Sequence, residues 1–291
     1  MTKLAKILLD TDIGSDIDDA LALLLLLHLK EVSLLGVTTV YGNVELRARI
    51  AQRILKSAGV DVPVVAGIGA PMMPRLPLWH TGMEGVGLLS ESEMRVPIRD
   101  LGIRTDAPAF LVEQVLAVPG ELTILAIGAL TNLARALEME PRFAKAVRRV
   151  VFMGAGVTFE NPVPEELRPG AQYSACPSHN VSCDVEAARR VFVTGIPITV
   201  LTNDVTTRVW WDGETVQQLL YASEPPETEA VGKLLKVWLG YRTRILGRPI
   251  DGTCPHDPQT AAEAVFPGRF VKYVQGWIPR AAGRQCLNHD T

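Results

Sequence analysis

The stretch KILLDTDIGSDIDDALALLLLLHL, residues Lys6–Leu29, carries the strongest structural signal in the chain. Lys6–Leu9 predict a short strand, and Asp19–Leu29 predict an apolar helix. The strand lacks the alternation of polar and apolar residues that marks one solvated face. A strand buried on both faces is typical of a parallel sheet covered by helices. This stretch therefore predicts the first strand and helix of an α/β fold.

The same order of strand and helix continues along the chain. Further strands are predicted at Leu34–Val40, Pro63–Ala66, Thr123–Ile127, Arg149–Met153 and Ile198–Leu201. Helices are predicted at Val44–Ala58, Ala107–Leu116, Thr131–Leu137, Val185–Val193 and Pro225–Arg248, and another begins near Pro258. Short connections favour one open, doubly wound, mostly parallel sheet flanked by helices. No repeat or polar linker divides the chain, so residues 1–291 are expected to form a single domain.

Composition and charge exclude several classes of protein. Of the 291 residues, 47% are hydrophobic, which excludes a disordered or collagen-like chain. The 29 basic and 32 acidic residues leave a net charge of −3, so no nucleic-acid partner is expected. The 4 cysteines form no CxxC pair and indicate no disulfide framework. The first residues lack the pattern of a signal peptide, and Ala20–Leu29 is too short to span a bilayer. A cytoplasmic protein with no membrane partner is expected.

Five aspartates follow the first strand closely: Asp10, Asp12, Asp16, Asp18 and Asp19. One or two of them, Asp16 or Asp18, are candidates to cap the next helix, whose N-terminus favours carboxylates. Five carboxylates in one short stretch repel one another, and burying them is unfavourable unless a cation neutralises them. An all-oxygen ligand set without a nearby cysteine favours Ca²⁺ or Mg²⁺ over zinc. The cluster therefore predicts a metal site at the end of the first strand.

A second acidic signal lies far away in the sequence, in the segment CPHDPQTAAEAV that begins at Cys254. Pro258 suits the first turn of a helix, which would place Asp257 at the N-cap. His256 is either a buried, hydrogen-bonded imidazole or a group that exchanges a proton near neutral pH. Both interpretations remain open on these residues alone.

Taken together, these residues resemble the nucleoside hydrolase family of the inosine-uridine preferring type. Five blocks match that family in its order: ILLDTDIGSDIDDALAL (Ile7–Leu23), GVTTVYGNV (Gly36–Val44), AIGALTNLARAL (Ala126–Leu137), HNVSCDVEAA (His179–Ala188) and PHDP (Pro255–Pro258). They extend over most of the chain, and the first block together with PHDP is specific. The resemblance implies a nucleoside hydrolase-like α/β fold and hydrolysis of the N-glycosidic bond of ribonucleosides to free base and ribose.

The resemblance also implies roles for individual residues. A single Ca²⁺ would be held by Asp10, Asp19, Asp257 and the main-chain carbonyl of Ile127. Asp12 would be the base that activates a Ca²⁺-bound water, and His256 would stand beside the leaving base. Substrate contacts are expected from Asp18, Asn43, His80 and Asn180. These residue types suit the chemistry, because carboxylates stabilise an oxocarbenium-like transition state. The family further suggests a homo-oligomer, a dimer or tetramer, that acts on a small ribonucleoside.

Three features depart from the family pattern. Five residues separate Asp12 from the pair Asp18–Asp19 where the family usually has three, which leaves Asp16 without a family role. Ser178 stands where the family has a glutamate that binds the ribose 5′-hydroxyl, so a 5′-modified nucleoside or another ribosyl compound is a candidate substrate. The loop motif His-Gly-x-x-Gly is altered to His80-Thr-Gly-Met-Glu84-Gly85. Either His80 or Glu84 contacts the sugar, or this long segment is an ordinary lid.

Two other functions explain part of the pattern. In a haloacid-dehalogenase-like phosphatase, Asp10 would be the nucleophile and Asp12 its acid–base partner, with Mg²⁺. That interpretation leaves Asp18–Asp19, GVTTVYGN and PHDP unexplained. A calcium-dependent ribosyl-binding protein without turnover is suggested by Ser178, although every carboxylate of the expected reaction is present. A nucleoside hydrolase explains the largest share of these residues.

Overall fold

A computed structural model describes residues 4–73, 78, 81–155, 178–250 and 252–273 of the chain. Seven parallel strands form its central sheet: β1 (Ala5–Thr11), β2 (Val32–Thr39), β3 (Val64–Ala66), β4 (Arg104–Thr105), β5 (Leu122–Ala126), β6 (Arg149–Met153) and β7 (Ile198–Leu201). Their order in the sheet is β4-β3-β2-β1-β5-β6-β7. The order therefore reverses between β1 and β5, which is the position where such sheets bind ligands. A short antiparallel pair is formed by β8 (Trp211–Asp212) and β9 (Gly252–Thr253).

Helices cover both faces of the central sheet. They are α1 (Asp18–His28), α2 (Val44–Ser57), α3 (Glu91–Arg95), α4 (Ala107–Ala117), α5 (Thr131–Met139), α6 (Phe143–Ala146), α7 (His179–Cys183), α8 (Val185–Val193), α9 (Asn203–Thr206), α10 (Gly213–Leu220), α11 (Pro226–Leu246) and α12 (His256–Val265). A 3₁₀ turn spans Ile98–Leu101. Within the described residues, no helix is both long and apolar enough to cross a membrane.

Two apolar cores, one on each face of the sheet, hold these layers together. Successive side chains of a strand point to opposite faces, so Ile7 and Leu9 of β1 belong to one core and Leu8 to the other. The first core is completed by α1, α2, α11 and α12, and the second by α4, α5 and α8. All three β1 side chains are fully buried, as the unbroken aliphatic run predicted. The predicted doubly wound parallel sheet is confirmed.

The predicted elements agree with the structure in type, and their ends differ by no more than two residues. The strands β6 and β7 and the helix α8 have the predicted bounds. The strands β4, β8 and β9, of 2 residues each, and the helices α3, α6, α7 and α9, of 4 or 5 residues, were not predicted, because two residues show no alternation and one helical turn shows no 3.6-residue period. The helix α10, of 8 residues, was not predicted either. The segment Gly67–Ile103 is rich in Gly, Pro and Met, which predicts a long loop; its described part contains α3 and the 3₁₀ turn.

The expected helix caps are wrong. The N-cap of α1 is Ile17 and has no side-chain hydrogen bond, so neither Asp16 nor Asp18 caps this helix. The helix α12 begins at His256, which places Asp257 inside the first turn and not at the N-cap. The physical reason is visible at Asp18, whose carboxylate accepts the main-chain N–H of His256 at 3.2 Å. This hydrogen bond joins the starts of two helices, so the carboxylate is used between helices and not within one.

Candidate active site

Five buried carboxylates come together at the carboxyl edge of the central sheet. They are Asp10 and Asp12 at the end of β1, Asp18 and Asp19 at the start of α1, and Asp257 at the start of α12. None of them is more than 7% exposed. The helices α1 and α12 pack against each other, which brings PHDP to the first acidic loop although the two lie more than 230 residues apart in sequence. The fold thus unites the two acidic signals of the sequence.

Asp10 is held by two polar side chains that the sequence analysis did not identify. Its Oδ1 accepts hydrogen bonds from Thr38 Oγ1 at 2.5 Å and from Asn132 Nδ2 at 2.8 Å. Its Oδ2 is buried and has no hydrogen-bond partner in the structure. Burial raises the pKa of Asp10 to about 7. The sequence signal for both partners was a polar residue inside an otherwise apolar block, GVTTV for Thr38 and AIGALTN for Asn132.

Asp12 lies against the main chain that follows β5. A Cβ atom added at Gly128 would be 2.9 Å from the Asp12 nitrogen and 3.0 Å from Asp12 Oδ1, so only glycine permits this approach. On its other side, Nε2 of the half-exposed His179 is 4.0 Å from Asp12 Oδ2 and 3.3 Å from Cys183 Sγ. Burial raises the pKa of Asp12, and the positive charge of Arg47 opposes that rise.

The remaining three carboxylates repel one another and Asp12. Burial is the largest cause that raises the pKa of Asp18, Asp19 and Asp257, and the neighbouring aspartates raise it further. One of these charges is partly compensated, because Thr11 Oγ1 donates a hydrogen bond to Asp19 Oδ1. A buried cluster of like charges is unfavourable in the absence of a cation. The electrostatics of the site therefore favour a bound cation or bound protons.

Asn180 joins the ends of two neighbouring strands. Its Nδ2 donates to the main-chain carbonyls of Ile127 at 2.9 Å and Met153 at 3.0 Å. The Ile127 carbonyl, expected to be a metal ligand, thus already accepts one hydrogen bond and retains a second lone pair. Asn180 is buried at the same edge of the sheet as the carboxylates.

Ser178 has a structural role that accounts for its hydroxyl group. It is the N-cap of α7, and its Oγ accepts hydrogen bonds from the N–H groups of Ala155 at 2.9 Å and Val181 at 3.3 Å. The residue is buried. Its oxygen is therefore engaged by main-chain donors, and it offers no negative charge to a substrate.

The other expected contact residues lie at the margin of the site or outside the described residues. Asn43 is exposed and caps α2 by accepting the N–H of Leu46 at 3.1 Å. Asp16 is exposed on the acidic loop. His80 lies outside the described residues. A small cleft opens beside Asp16, and its lining includes Met83, Leu234, Val237 and Trp238.

His256 is held by a threonine on a separate helix. Its Nδ1 is 2.7 Å from Oγ1 of Thr206, a fully buried residue of α9. Burial lowers the pKa of His256, so the imidazole is neutral at neutral pH. The sequence analysis identified His256 but not Thr206, because no motif connects residues 50 positions apart.

Comparisons with known proteins decide the family. The sequence model of the inosine-uridine preferring nucleoside hydrolases matches residues 7–285. The chain belongs to this family. Among its curated relatives, a probable uridine nucleosidase 2 of Arabidopsis thaliana is 33% identical over 93% of this chain and 80% of its own length. Uridine nucleosidase 1 of the same plant is 31% identical over 98% of this chain and 80% of its own length.

Solved structures of nucleoside hydrolases agree with this assignment. A plant nucleoside hydrolase superposes with a TM-score of 0.69 at 28% identity, covering 90% of this chain and 79% of that protein. A purine-preferring ribonucleoside hydrolase from Gardnerella vaginalis, at 24% identity, shares the fold with a TM-score of 0.70 over 90% of this chain and 80% of that protein. This nucleoside hydrolase is thus an enzyme whose family hydrolyses the N-glycosidic bonds of ribonucleosides. The phosphatase alternative receives no support from these matches.

Nucleoside hydrolases are metal-dependent, and the donor set of this member agrees with that property. The carboxylates supply hard oxygen ligands, Asp10 Oδ2 has no hydrogen-bond partner among the described residues, and the like charges need compensation. Among the residues that the structure describes, no three His, Cys, Asp or Glu side chains already stand in a geometry that would hold an ion. The residues of the site therefore fit a metal ion in the type of their ligand atoms and in their negative charge.

Proposed function

We propose that this nucleoside hydrolase uses Ca²⁺ and Asp12 to hydrolyse ribonucleosides to free base and ribose. The observation that carries the proposal is the burial of five carboxylates at one edge of the sheet, with Asp12 among them. So many buried acids are unfavourable for folding, and such an arrangement is typical of a functional site. The family supports the reaction class, and the site supports the assignment of roles that follows.

We assign four groups to the metal ion: Asp10, Asp19, Asp257 and the main-chain carbonyl of Ile127. Carboxylate and carbonyl oxygens are the ligands that Ca²⁺ prefers. Oδ1 of Asp10 is engaged by Thr38 and Asn132, which leaves the unpartnered Oδ2 as the available donor. When bound, the ion supplies Lewis-acid chemistry: it makes a water molecule more acidic and orients the ribose hydroxyls.

Asp12 accepts the proton of the attacking water. As the water oxygen bonds to C1′ of the ribose, the C1′–N bond breaks and its electron pair leaves with the base. Burial, which raises the pKa of Asp12, makes its carboxylate a better proton acceptor than an exposed aspartate. The absence of a side chain at Gly128 leaves room for this carboxylate beside the end of β5.

The substrate ribose is assigned to Asp18 and Asn180, with Asn43 and His80 at the margin of the site. Asp18 and Asn180 are buried at the sheet edge, where hydroxyl groups of the sugar would replace water. In the transition state the ribose ring gains positive charge. The negative potential of the carboxylates stabilises that charge more than it stabilises the neutral substrate, which lowers the barrier.

His256 stands beside the departing base and donates a hydrogen bond to it from the N–H of its neutral ring. The ring is oriented by Thr206, and the main-chain N–H of His256 is bonded to Asp18. This hydrogen bond stabilises the negative charge that the base nitrogen acquires as the C1′–N bond breaks.

We therefore expect the substitution His256→Ala to lower kcat on nucleosides by about 10²- to 10⁴-fold. On 4-nitrophenyl riboside, whose leaving group needs no proton, the same variant should stay close to the wild-type rate. Thr206→Val should reduce nucleoside turnover to a smaller extent, and Thr206→Ser, which keeps the hydroxyl, serves as the matched control. Steady-state rates on both substrates test this assignment, and an equal loss on the two would contradict it.

The proposed function is tested by measuring base and ribose release from a panel of nucleosides with and without EDTA. Uridine comes first because two relatives at 33% and 31% identity are named uridine nucleosidases. The panel includes purine nucleosides, and it includes 5′-modified nucleosides because Ser178 offers no free oxygen or charge to a 5′-hydroxyl. We expect release that EDTA abolishes and Ca²⁺ restores. Binding of ribosides without release from any of them would favour a binding protein without turnover.

A further inference from the structure

A buried arginine lies beneath the acidic loop and has no part in the roles assigned above. Arg47 is in the second turn of α2, and only 2% of it is exposed. A guanidinium group carries five N–H donors and is always charged, so burying it is unfavourable unless acceptors surround it. The acceptors around the Arg47 guanidinium group are three main-chain carbonyls and one hydroxyl group.

The guanidinium group of Arg47 holds two separate connections together. Its Nη1 donates to the carbonyls of Asp12 and, at 3.0 Å, of Ile13, and its Nη2 donates to Ser15 Oγ at 2.9 Å. These acceptors all lie in the connection between β1 and α1. Its Nε donates to the Tyr41 carbonyl at 2.7 Å, in the connection between β2 and α2. A single side chain therefore joins the main chain at and just after Asp12 to the connection between β2 and α2.

The second connection contains a strained residue. Tyr41 has a φ of 62°, a left-handed conformation that is unusual for an aromatic residue. Its N–H donates to the Ile68 carbonyl at 2.9 Å, and its carbonyl accepts from Arg47, so both main-chain polar groups are engaged. A strained backbone conformation persists where the surrounding contacts enforce it. Strained conformations of this kind are frequent at functional sites.

The contacts of Arg47 extend to a third segment through Ser15. The Ser15 hydroxyl, which accepts from Arg47, donates to Glu84 Oε1 at the long distance of 3.5 Å. The same oxygen of Glu84 accepts the N–H of Thr81 at 2.8 Å. The acidic loop, the β2–α2 connection and the start of the 81–89 segment are therefore linked through one arginine.

We propose that Arg47 is a positioning residue for the hydrolytic reaction: it fixes the main chain of Asp12, and so directs the carboxylate of the catalytic base. This inference rests on the proposed role of Asp12. A side chain needed only for packing would not require four acceptors from two connections. A shift of a base by about 1 Å costs on the order of 10²-fold in rate, so the orientation of Asp12 matters for turnover.

The test compares Arg47→Lys with Arg49→Lys. Lysine keeps the charge but cannot reach all four acceptors with one compact ammonium group. Arg49 is the matched control, because it is a buried arginine of the same helix whose Nη1 bonds to the Glu93 carbonyl at 3.0 Å, away from the acidic loop. The measurements are kcat and KM on the best nucleoside, Ca²⁺ affinity of the metal-free protein by calorimetry, melting temperature, and hydrogen exchange of residues 12–17 and 40–43.

For Arg47→Lys we expect kcat to fall by about 10- to 100-fold while KM and the Ca²⁺ affinity change by less than about threefold. Exchange should accelerate at the amides of Tyr41 and Gly42, which donate to Ile68 and Gly69, and not in β5 or β6. Arg49→Lys should leave kcat and these two amides unchanged. A folded Arg47→Lys variant with wild-type kcat would overturn the proposal. So would a loss of kcat that is matched by losses of Ca²⁺ affinity and of protection throughout the protein.

Two further measurements keep the inference testable in all cases. If Arg47→Lys does not fold, Ser15→Ala is used instead, because it removes one acceptor of Arg47. This variant should lower kcat by a few-fold and accelerate hydrogen exchange in residues 12–17. Wild-type kcat together with wild-type exchange would overturn the proposal. If the wild-type protein releases no base from any nucleoside, the proposed function fails. The exchange of residues 12–17 and 40–43 then decides the positioning role alone, and wild-type exchange in Arg47→Lys would overturn it.

Discussion

Substitution of Asp12 by asparagine is expected to lower kcat by about 10²- to 10⁴-fold. Asparagine has nearly the same shape, so it can occupy the place beside Gly128, but its amide does not accept a proton from water. The fold should be retained or stabilised, because the variant removes one of five buried acids that repel one another. Steady-state kinetics, together with the melting temperature, check both parts of this expectation.

The matched control for this variant is Asp16→Asn. Asp16 is on the same loop and carries the same charge, but it is exposed and has no role in the proposed reaction. The Asp16 charge raises the pKa of Asp12 and Asp18, but its removal leaves the base itself in place, so we expect kcat to remain within about tenfold of wild type. If Asp16→Asn loses as much activity as Asp12→Asn, or if Asp12→Asn keeps more than a tenth of wild-type turnover, Asp12 is not the base.

The metal-free protein is expected to lose stability as the pH rises, and Ca²⁺ should restore it. Burial raises the pKa of Asp10 from 3.8 to about 7 in the folded protein, so the folded state holds this proton over a pH range in which the unfolded state has lost it. Stability from this group is therefore fully present below pH 3.8 and is lost as the pH rises through about 7. The free energy of unfolding decreases with rising pH because the pKa of Asp10 is raised in the folded protein. Burial also raises the pKa of Asp18, Asp19 and Asp257, so these groups add to the decrease.

The size of this effect makes it measurable by thermal unfolding. One unit of pKa shift corresponds to about 1.4 kcal/mol, so Asp10 alone accounts for a change on the order of 4 kcal/mol in the free energy of unfolding. For a protein of this size that change lowers the melting temperature by roughly 10 °C. The part of this change above pH 5, about two pKa units or roughly 3 kcal/mol, should lower the melting temperature between pH 5 and pH 8 after EDTA treatment.

The metal-bound protein should behave differently, because a ligand that binds only the folded state stabilises it. Addition of Ca²⁺ at pH 8 should raise the melting temperature, with a smaller gain at pH 5, where protons compete for the carboxylates. Asp10→Asn should flatten the pH dependence of the metal-free protein. A metal-free melting temperature that is constant or rises from pH 5 to pH 8 would contradict this account, and a stronger response to Mg²⁺ than to Ca²⁺ would change the assigned ion.

The longer elements of the fold were predictable because their sequence signals are local. The strands β6 and β7 are aliphatic runs, and α8 begins after Asp184, whose side chain caps the helix by accepting the N–H of Ala187 at 3.0 Å. The helices α7 and α9 were missed because a single helical turn shows no 3.6-residue period, and β8 and β9 because two residues show no alternation. The cap at Asp18 was wrong because a local rule assigned to one helix a carboxylate that the fold uses between two helices. The cap at Asp257 was wrong because α12 begins one residue earlier, at His256.

The position of the site also followed from the sequence, since the carboxyl ends of parallel strands share one edge of a sheet. The acidic loop after β1 was therefore expected at this edge. The resemblance to the family implied that the pair His256–Asp257 meets the loop, and the structure brings them together. Which groups hold the acids in place was decided by the tertiary structure alone. Thr38 and Asn132 on Asp10, Arg47 on the Asp12 carbonyl and Thr206 on His256 are contacts between residues 28 to 122 positions apart. No motif spans such distances, and the burial that raises the pKa of these carboxylates arises only when both layers of helices close on the sheet.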